Sequence, residues 1–74
     1  MKLQVFGDVI INVEIDHNIV KYRHNGKLII IHFDINLKHT VLSVNQDPRL
    51  NNSNNLGILE DAVKKERIKK MLKR

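Results

Sequence analysis

Apolar and polar residues alternate along the first 46 residues of the chain, and short turn-forming dipeptides interrupt this alternation. The dipeptides are Gly7-Asp8, His17-Asn18, Asn25-Gly26 and Lys38-His39. Asn-Gly between apolar runs is typical of a two-residue hairpin turn, in which both residues adopt positive φ. The intervening runs are rich in β-branched residues and predict a meander of five antiparallel strands. The predicted strands cover residues 2–6, 9–16, 19–24, 27–37 and 40–46.

Two-residue turns also fix the register of these strands. They place Glu14 opposite Lys21 on one face of the sheet, as cross-strand pairing prefers. On the other face they place apolar side chains opposite each other, for example Tyr22 and Ile29. The predicted core face consists of Phe6, Val9, Ile11, Val13, Ile15, Val20, Tyr22, Ile29, Ile31, Phe33, Ile35, Leu37, Leu42 and Val44. The opposite face mixes charged residues with Leu3, Val5, Ile10, Ile19, Leu28, Ile30 and Val41, so we expect the C-terminal helix or a second copy to cover it.

The fourth predicted strand pairs with the third through residues 27–32 and with the fifth through residues 32–37. Because these two pairings barely overlap, we expect the strand to bend and to pass from one half of the sheet to the other. The expected fold class is therefore mainly β (α+β). It is a five-stranded antiparallel meander over residues 1–46, coiled into an SH3-like barrel or sandwich, with one C-terminal α-helix.

Residues 47–56 contain the only proline and four of the nine asparagines, which predicts a linker loop. Residues 57–74 have a helical pattern, with Asn55 or Gly57 as candidate cap and basic residues crowding the last turns. The acid-first i,i+4 pairs that support this helix are Glu60–Lys64, Asp61–Lys65 and Glu66–Lys70. Its apolar residues form two groups, roughly 160° apart around the helix axis. They are Ile58, Leu59, Ala62 and Val63 in the first group, and Ile68, Met71 and Leu72 in the second.

A straight helix cannot place both apolar groups on one sheet. We therefore expect the first two turns to dock on the strands and the last two turns to project. The second group would then contact a partner protein or a second copy of the chain. The predicted interface consists of Ile68, Met71 and Leu72, with Leu28 and Ile30 on the mixed sheet face.

Positive charge is concentrated in the same helix, because residues 58–74 carry seven basic and three acidic side chains whereas residues 1–57 carry six and five. Clustered basic residues are the usual footprint of phosphate contacts with nucleic acid. The candidate phosphate contacts are Lys64, Lys65, Arg67, Lys69, Lys70, Lys73 and Arg74. The only aromatic residues are Phe6, Tyr22 and Phe33, and all three map to the predicted core face, so no stacking platform for bases is expected.

Candidate chemistry is sparse. The predicted register places Asp34 opposite Ser43 and His32 opposite Asn45, but regular strands provide neither a nucleophile elbow nor an oxyanion site. The four histidines lack zinc-ligand spacing, and the chain has no cysteine to complete such a site. We therefore predict no catalytic residue, no metal site and no cofactor.

These features together predict one small binding domain without enzymatic activity. The absence of cysteine and of an apolar run long enough for a membrane span favours an intracellular, cytoplasmic protein. Asn, Ile and Lys supply 28 of the 74 residues, a bias expected of an AT-rich genome, which bacteria, archaea and phages can all have. The small size, this composition and the lack of catalytic residues fit an accessory protein that a phage or another mobile element encodes. We expect a self-associating inhibitor or adaptor that binds another protein. The alternative is a non-specific nucleic-acid-binding protein that uses the basic helix.

Overall fold

A computed structural model describes residues 1–7 and 9–72 as six strands, one 3-10 helix and one α-helix. The strands are β1 (Lys2–Val5), β2 (Val9–Asn12), β3 (Glu14–Asp16), β4 (Ile19–His24), β5 (Lys27–Phe33) and β6 (His39–Val41). The helices are the 3-10 helix Pro48–Asn51 and α1, Ser53–Leu72. The strands form two antiparallel sheets, β1-β2 and β3-β4-β5-β6. A mainly β fold with a C-terminal helix is thus confirmed. The predicted barrel is not confirmed, because both sheets are open.

The two central hairpins have the predicted register. Glu14 pairs with Lys21 across β3 and β4, and Tyr22 pairs with Ile29 across β4 and β5. Both turns are two residues long with positive φ throughout, at 48° and 68° for His17-Asn18 and at 53° and 76° for Asn25-Gly26. Positive φ at both positions matches the right-handed twist of the flanking strands and so fixes this register.

Val13 divides the predicted second strand between the two sheets, which is why six strands are found instead of five. The backbone nitrogen of Val13 donates to the Met1 carbonyl at 2.7 Å, and the Met1 nitrogen donates to the Val13 carbonyl at 3.1 Å. Val13 therefore completes the β1-β2 ladder, whereas the next residue, Glu14, begins the ladder with β4. The strand that passes between sheets is this one and not the predicted strand 27–37.

The first hairpin differs from the prediction by one residue. Val5 pairs with Val9, so three residues connect β1 to β2, and both Phe6 and Gly7 have positive φ. The predicted turn also included Asp8, which lies outside the described residues. Since side chains alternate along a strand, the extra residue reverses the faces of β1. Val5 is consequently buried in the core. Its partner Val9, at the start of β2, was also expected in the core but is exposed.

The predicted eleven-residue strand is wrong because β5 ends at Phe33 and a compact turn follows. The Asp34 carboxylate accepts hydrogen bonds from the backbone nitrogens of Asn36 (2.8 Å) and Lys38 (2.9 Å), and Leu37 adopts a φ of 63°. Such side-chain-to-backbone bonds replace the ladder bonds of a strand. Phe33 therefore pairs with His39, whereas a two-residue turn at Lys38-His39 would have placed it opposite Val44, five residues farther along.

The shifted register moves three predicted core residues to the surface. Ile35 is 86% exposed, Val44 is 97% exposed, and Leu42 is also exposed. Most of the largest buried side chains come from β5 and α1. The buried core consists of Val5, Val13, Val20, Tyr22, Ile29, Ile31, Phe33, Leu50, Leu59 and Val63.

The helix begins four residues earlier than predicted. Asn52 caps it, because its side-chain oxygen accepts from the backbone nitrogen of Asn54 at 2.8 Å and its carbonyl accepts from Leu56 at 3.1 Å. Asparagine in this position satisfies one of the free N–H groups of a first turn. The asparagine-rich composition predicts a linker because asparagine is common in loops and in helix caps alike. The first half of α1 then buries Leu59, Ala62 and Val63 against the strands.

Candidate interaction surfaces

The last turns of α1 expose an apolar stripe, which we call the helix-end face. It consists of Ile68, Met71 and Leu72, whose side chains are 52%, 73% and 78% exposed. Their spacing of three and four residues places them side by side on one side of the helix. Leu59 and Val63, on the opposite side, are buried. The structure thus brings these three predicted interface residues together on an uncovered surface.

Basic residues border the helix-end face. Lys64, Lys65 and Lys69 are exposed. Lys65 Nζ lies 3.4 Å from Asp61 Oδ2, a pair between exposed groups that contributes little to stability. Lys70 Nζ lies 3.6 Å from Asp16 Oδ1 on the sheet, whereas the sequence predicted a pair with Glu66. The further predicted phosphate contacts Lys73 and Arg74 lie outside the described residues.

Arg67 is half-buried and hydrogen-bonded to the strands and turns, unlike the exposed Lys64, Lys65 and Lys69. Its Nε donates to Asn18 Oδ1 at 2.7 Å, and its Nη2 donates to the backbone carbonyl of Asp34 at 2.7 Å. The guanidinium thereby joins the helix to the β3-β4 turn and to the end of β5. Because two of its five N–H donors are already used within the fold, Arg67 has less capacity for a phosphate than the exposed lysines.

The outer face of the four-stranded sheet, on the side away from α1, holds the other two predicted interface residues. Leu28 is exposed and Ile30 is half-buried. The strand register places Ile30 beside Lys21 on β4, and the Leu42 nitrogen donates to the Ile30 carbonyl at 2.8 Å on the other side. Leu28 and Ile30 therefore lie on a different surface from the helix-end face, so the five predicted interface residues do not form one patch.

An open cleft separates β2 from β4 at the outer face. Continuing the register of the His17-Asn18 hairpin would place Asn12 opposite Arg23, but this pair is not formed, because the β3-β4 ladder ends at Glu14 and Lys21. The cleft has a volume of about 760 Å³. Ile11 and Asn12 line it on the β2 side, Lys21 and Arg23 line it on the β4 side, and Leu28 of β5 lies behind them.

The polar neighbours considered as a catalytic group are not brought together. His32 pairs with Thr40 and not with Asn45. Ser43 Oγ accepts from the Ile30 nitrogen at 3.1 Å and donates to the Asn45 carbonyl at 2.8 Å, so it supports the strand edge. The Asp34 carboxylate already accepts hydrogen bonds from the backbone nitrogens of Asn36 and Lys38. The predicted oppositions of Asp34 to Ser43 and of His32 to Asn45 are therefore wrong, for the same reason as the register of β6.

A buried polar cluster, which we call the polar clamp, was not predicted. It consists of Tyr22, Asp47 and Arg49. The Asp47 side chain is fully buried and accepts from Tyr22 Oη at 2.6 Å, from Arg49 Nε at 2.9 Å and from Arg49 Nη2 at 2.8 Å. The guanidinium also lies over the Phe6 ring, with Cζ 3.7 Å from the ring centroid. The clamp thus holds the chain after β6 against the central strand.

Each ionisable group of the polar clamp is held in one protonation state. Burial alone would raise the pKa of Asp47, but hydrogen bonds from Arg49 and Tyr22 and the charge of Arg49 outweigh it and lower this pKa from 3.8 to about 2. Burial, together with the hydrogen bond and charge of Asp47, raises the pKa of Tyr22 well above 10. The hydrogen bond to Asp47 likewise raises the pKa of Arg49. At neutral pH the Asp47 carboxylate and the Arg49 guanidinium are therefore charged and the Tyr22 phenol is neutral. These fixed protonation states are consistent with a structural role for the polar clamp.

His24 extends this cluster to the surface. Arg49 Nη2 lies 2.9 Å from His24 Nδ1, and a guanidinium can only donate, so Nδ1 accepts. The sequence signal for the clamp was Asp47-Pro48, a capping residue followed by proline at the first helical position. Asp47 does cap the 3-10 helix, accepting from the Arg49 nitrogen at 3.1 Å.

Among residues 1–7 and 9–72, no group of three or more histidine and acidic side chains could hold a metal ion. No helix in the described part of the chain combines the length and the apolar character that crossing a membrane requires. Comparison with protein-family models, with curated proteins and with solved structures finds no match to this chain.

Proposed function

We propose that this chain is a non-enzymatic protein-binding module, an adaptor or inhibitor, that docks an acidic partner protein on the helix-end face. The observation that carries the proposal is the exposure of Ile68, Met71 and Leu72, which reaches 78% on a helix whose other side is packed. Clustered apolar side chains exposed to water within a polar rim are typical of interaction sites. The cytoplasmic location expected from the sequence belongs to the same proposal.

Charge complementarity favours a partner with acidic residues around an apolar centre. Lys64, Lys65 and Lys69 border the face, so a matching partner presents carboxylates at its rim. A two-fold pairing of identical helix ends would bring the same lysines of both copies close together. Like charges in contact are unfavourable, so a second copy is a poorer occupant of this face than an acidic protein.

The proposal is tested with matched variants. A Met71→Ser/Leu72→Ser variant removes the apolar centre, and an Ile35→Ser/Val44→Ser variant removes two exposed apolar side chains that do not lie on α1. Wild-type and variant chains would capture proteins from an extract of the source cells, and the captured protein would then be purified and titrated with each chain. We expect an acidic protein whose affinity falls at least about tenfold with the helix variant only.

Equal binding by the wild-type chain and the helix variant would contradict the proposal. Sedimentation of the wild-type chain at two salt concentrations separates the alternatives. A salt-insensitive dimer that the helix variant abolishes would make a second copy the occupant. Co-sedimentation with a labelled duplex or single strand that fades at high salt would favour the nucleic-acid alternative, with Lys64, Lys65 and Lys69 as phosphate contacts.

A further inference from the structure

The edge of β4 has free backbone groups at the cleft between β2 and β4. The Phe33 nitrogen donates to the Asn18 carbonyl at 2.9 Å, which sets the phase of the β4-β5 ladder. Even-numbered residues of β4 therefore exchange hydrogen bonds with β5, and odd-numbered residues point their N–H and C=O groups the other way. Arg23 is odd-numbered, so its backbone groups point toward β2.

The edge of β2 faces the same cleft. Met1 and Val13 exchange both of their backbone hydrogen bonds, which sets the phase of the β1-β2 ladder. Ile10 and Asn12 consequently point their N–H and C=O groups away from β1 and toward β4. Within residues 1–7 and 9–72, no ladder pair joins β2 to β4.

The edges of β2 and β4 therefore face each other across the cleft, and each edge has backbone N–H and C=O groups without a ladder partner. Such groups are a template for pairing with another extended chain. Ile11 and Leu28 provide apolar contact for alternate side chains of such a chain, and the volume of about 760 Å³ leaves room for it. Lys21 and Arg23 stand at the β4 wall with one acidic residue, Glu14, at the closed end, so the wall that a ligand meets is basic.

We propose that this cleft binds an extended, acidic peptide segment of another protein, which adds as a short strand to the β4 edge at Arg23. Main-chain hydrogen bonds to Arg23 and Asn12 supply affinity, and alternate side chains of the peptide meet Leu28 and the basic wall. This site lies on other residues than the helix-end face and goes beyond the function proposed above. The cleft thereby gives the module a second contact with its partner, one that depends on the sequence of the bound peptide.

The probe is an acetylated and amidated pentapeptide of alternating valine and glutamate, titrated into the isotope-labelled full chain and followed by amide NMR signals. We expect saturable shifts of the Asn12 and Arg23 amides and at least about tenfold weaker binding of the same peptide with lysine in place of glutamate. A version with proline in place of valine cannot donate main-chain hydrogen bonds at those positions and is expected to leave both signals unmoved.

Two variants test the mechanism of binding. Arg23→Pro removes the N–H group that faces the cleft without removing a β4-β5 hydrogen bond, and it should weaken the glutamate peptide about tenfold. Lys21→Glu/Arg23→Glu keeps every main-chain donor and should reverse the preference, so that the lysine peptide binds more tightly. The second variant decides the question if the first does not fold.

The proposal is overturned if the glutamate peptide leaves Asn12 and Arg23 unmoved, if both charged peptides bind the wild-type chain equally, or if the shifts fall on His39 and Val41 at the β6 edge. The Met71→Ser/Leu72→Ser variant should bind the peptide as the wild-type chain does. Loss of the helix-end contact and loss of the cleft are thereby distinguishable.

Discussion

At the scale of single residues, Asp47 shows how one buried carboxylate fixes the path of the chain. Its two oxygens accept hydrogen bonds from Tyr22 on the central strand and from Arg49 two residues later. A buried charge is tolerated only when it is paired and hydrogen-bonded, and both conditions hold here. The polar clamp therefore fixes the segment after β6 against the core.

We predict that Asp47→Asn lowers the free energy of unfolding at pH 7 by about 2–3 kcal/mol, because the amide cannot match the charge of Arg49. The lowered pKa of Asp47 adds a pH dependence. A carboxyl with a folded pKa of about 2 and an unfolded pKa of 3.8 stabilises the fold fully above pH 3.8. That stability, about 2 kcal/mol, is lost as the pH falls from about 4 to 2.

Urea unfolding of the wild-type chain and the Asp47→Asn variant between pH 2 and pH 7 measures both effects. Asp61→Asn is the matched control, because it removes an exposed carboxylate and should change stability by less than about 0.5 kcal/mol. An acid transition of equal size in the wild-type chain and the Asp47→Asn variant would contradict the assignment.

At the scale of elements, α1 is attached to the sheet by packing and by Arg67, while the Lys70–Asp16 pair between the same elements is exposed. The buried side chains of Leu59 and Val63 pack the first half of α1 into the core. Farther along the helix, Arg67 donates hydrogen bonds to the Asn18 side chain and to the Asp34 carbonyl. The position of the second half of the helix therefore depends on Arg67, after which the helix-end face begins.

We predict that Arg67→Ala lowers the free energy of unfolding by about 1–2 kcal/mol, because it leaves the Asn18 and Asp34 oxygens without these donors. Lys64→Ala, which removes an exposed lysine of the same helix, should change it by less than about 0.5 kcal/mol. Thermal unfolding of both variants provides the comparison. Equal effects would mean that the hydrogen bonds of Arg67 do not hold the helix.

Elements also show where prediction from sequence succeeds and fails. The turns at His17-Asn18 and Asn25-Gly26 were predicted with the correct register because residue type there dictates positive φ. The connection after Val5 failed by one residue because Phe6, which ordinarily avoids positive φ, adopts 56°. The turn after Phe33 failed because the Asp34 side chain, and not a dipeptide at residues 38–39, closes it.

At the scale of the whole molecule, one core joins the two open sheets and the helix. Leu59 from α1 and Leu50 from the 3-10 helix pack with residues of β1 and of the central strands. A chain of 74 residues buries a modest fraction of its surface, so each core side chain carries a large share of its stability. The helix is therefore part of the folded unit.

We predict that Leu59→Ala lowers the free energy of unfolding by about 3 kcal/mol through the cavity it leaves. Leu72→Ala is the matched control on the same helix. It should change stability by less than about 0.5 kcal/mol, because Leu72 is 78% exposed. Urea denaturation of the two variants provides the measurement, and a small effect of Leu59→Ala would mean that α1 does not belong to the core.

Some features of the candidate surfaces could be predicted from the sequence and others could not. The helical period alone separated Ile68, Met71 and Leu72 from the docked side of the helix, and the structure leaves these three residues exposed. The same reasoning could not find the engagement of Arg67 or the cleft beside Arg23. Each depends on where a distant strand or turn lies, and no local pattern records that.

The sequence by itself determined the features that depend on neighbouring residues. These are the two central hairpins with their register, the helical period of the C-terminal segment and its two apolar sides, because dihedral preference and side-chain alternation act within a few residues. Only the tertiary structure decided that Val13 divides one strand between two sheets, that Asp47 joins the linker to Tyr22, and that β2 and β4 part to form a cleft. Each of these is set by contacts between segments far apart in the chain, where packing of the whole core outweighs local preference.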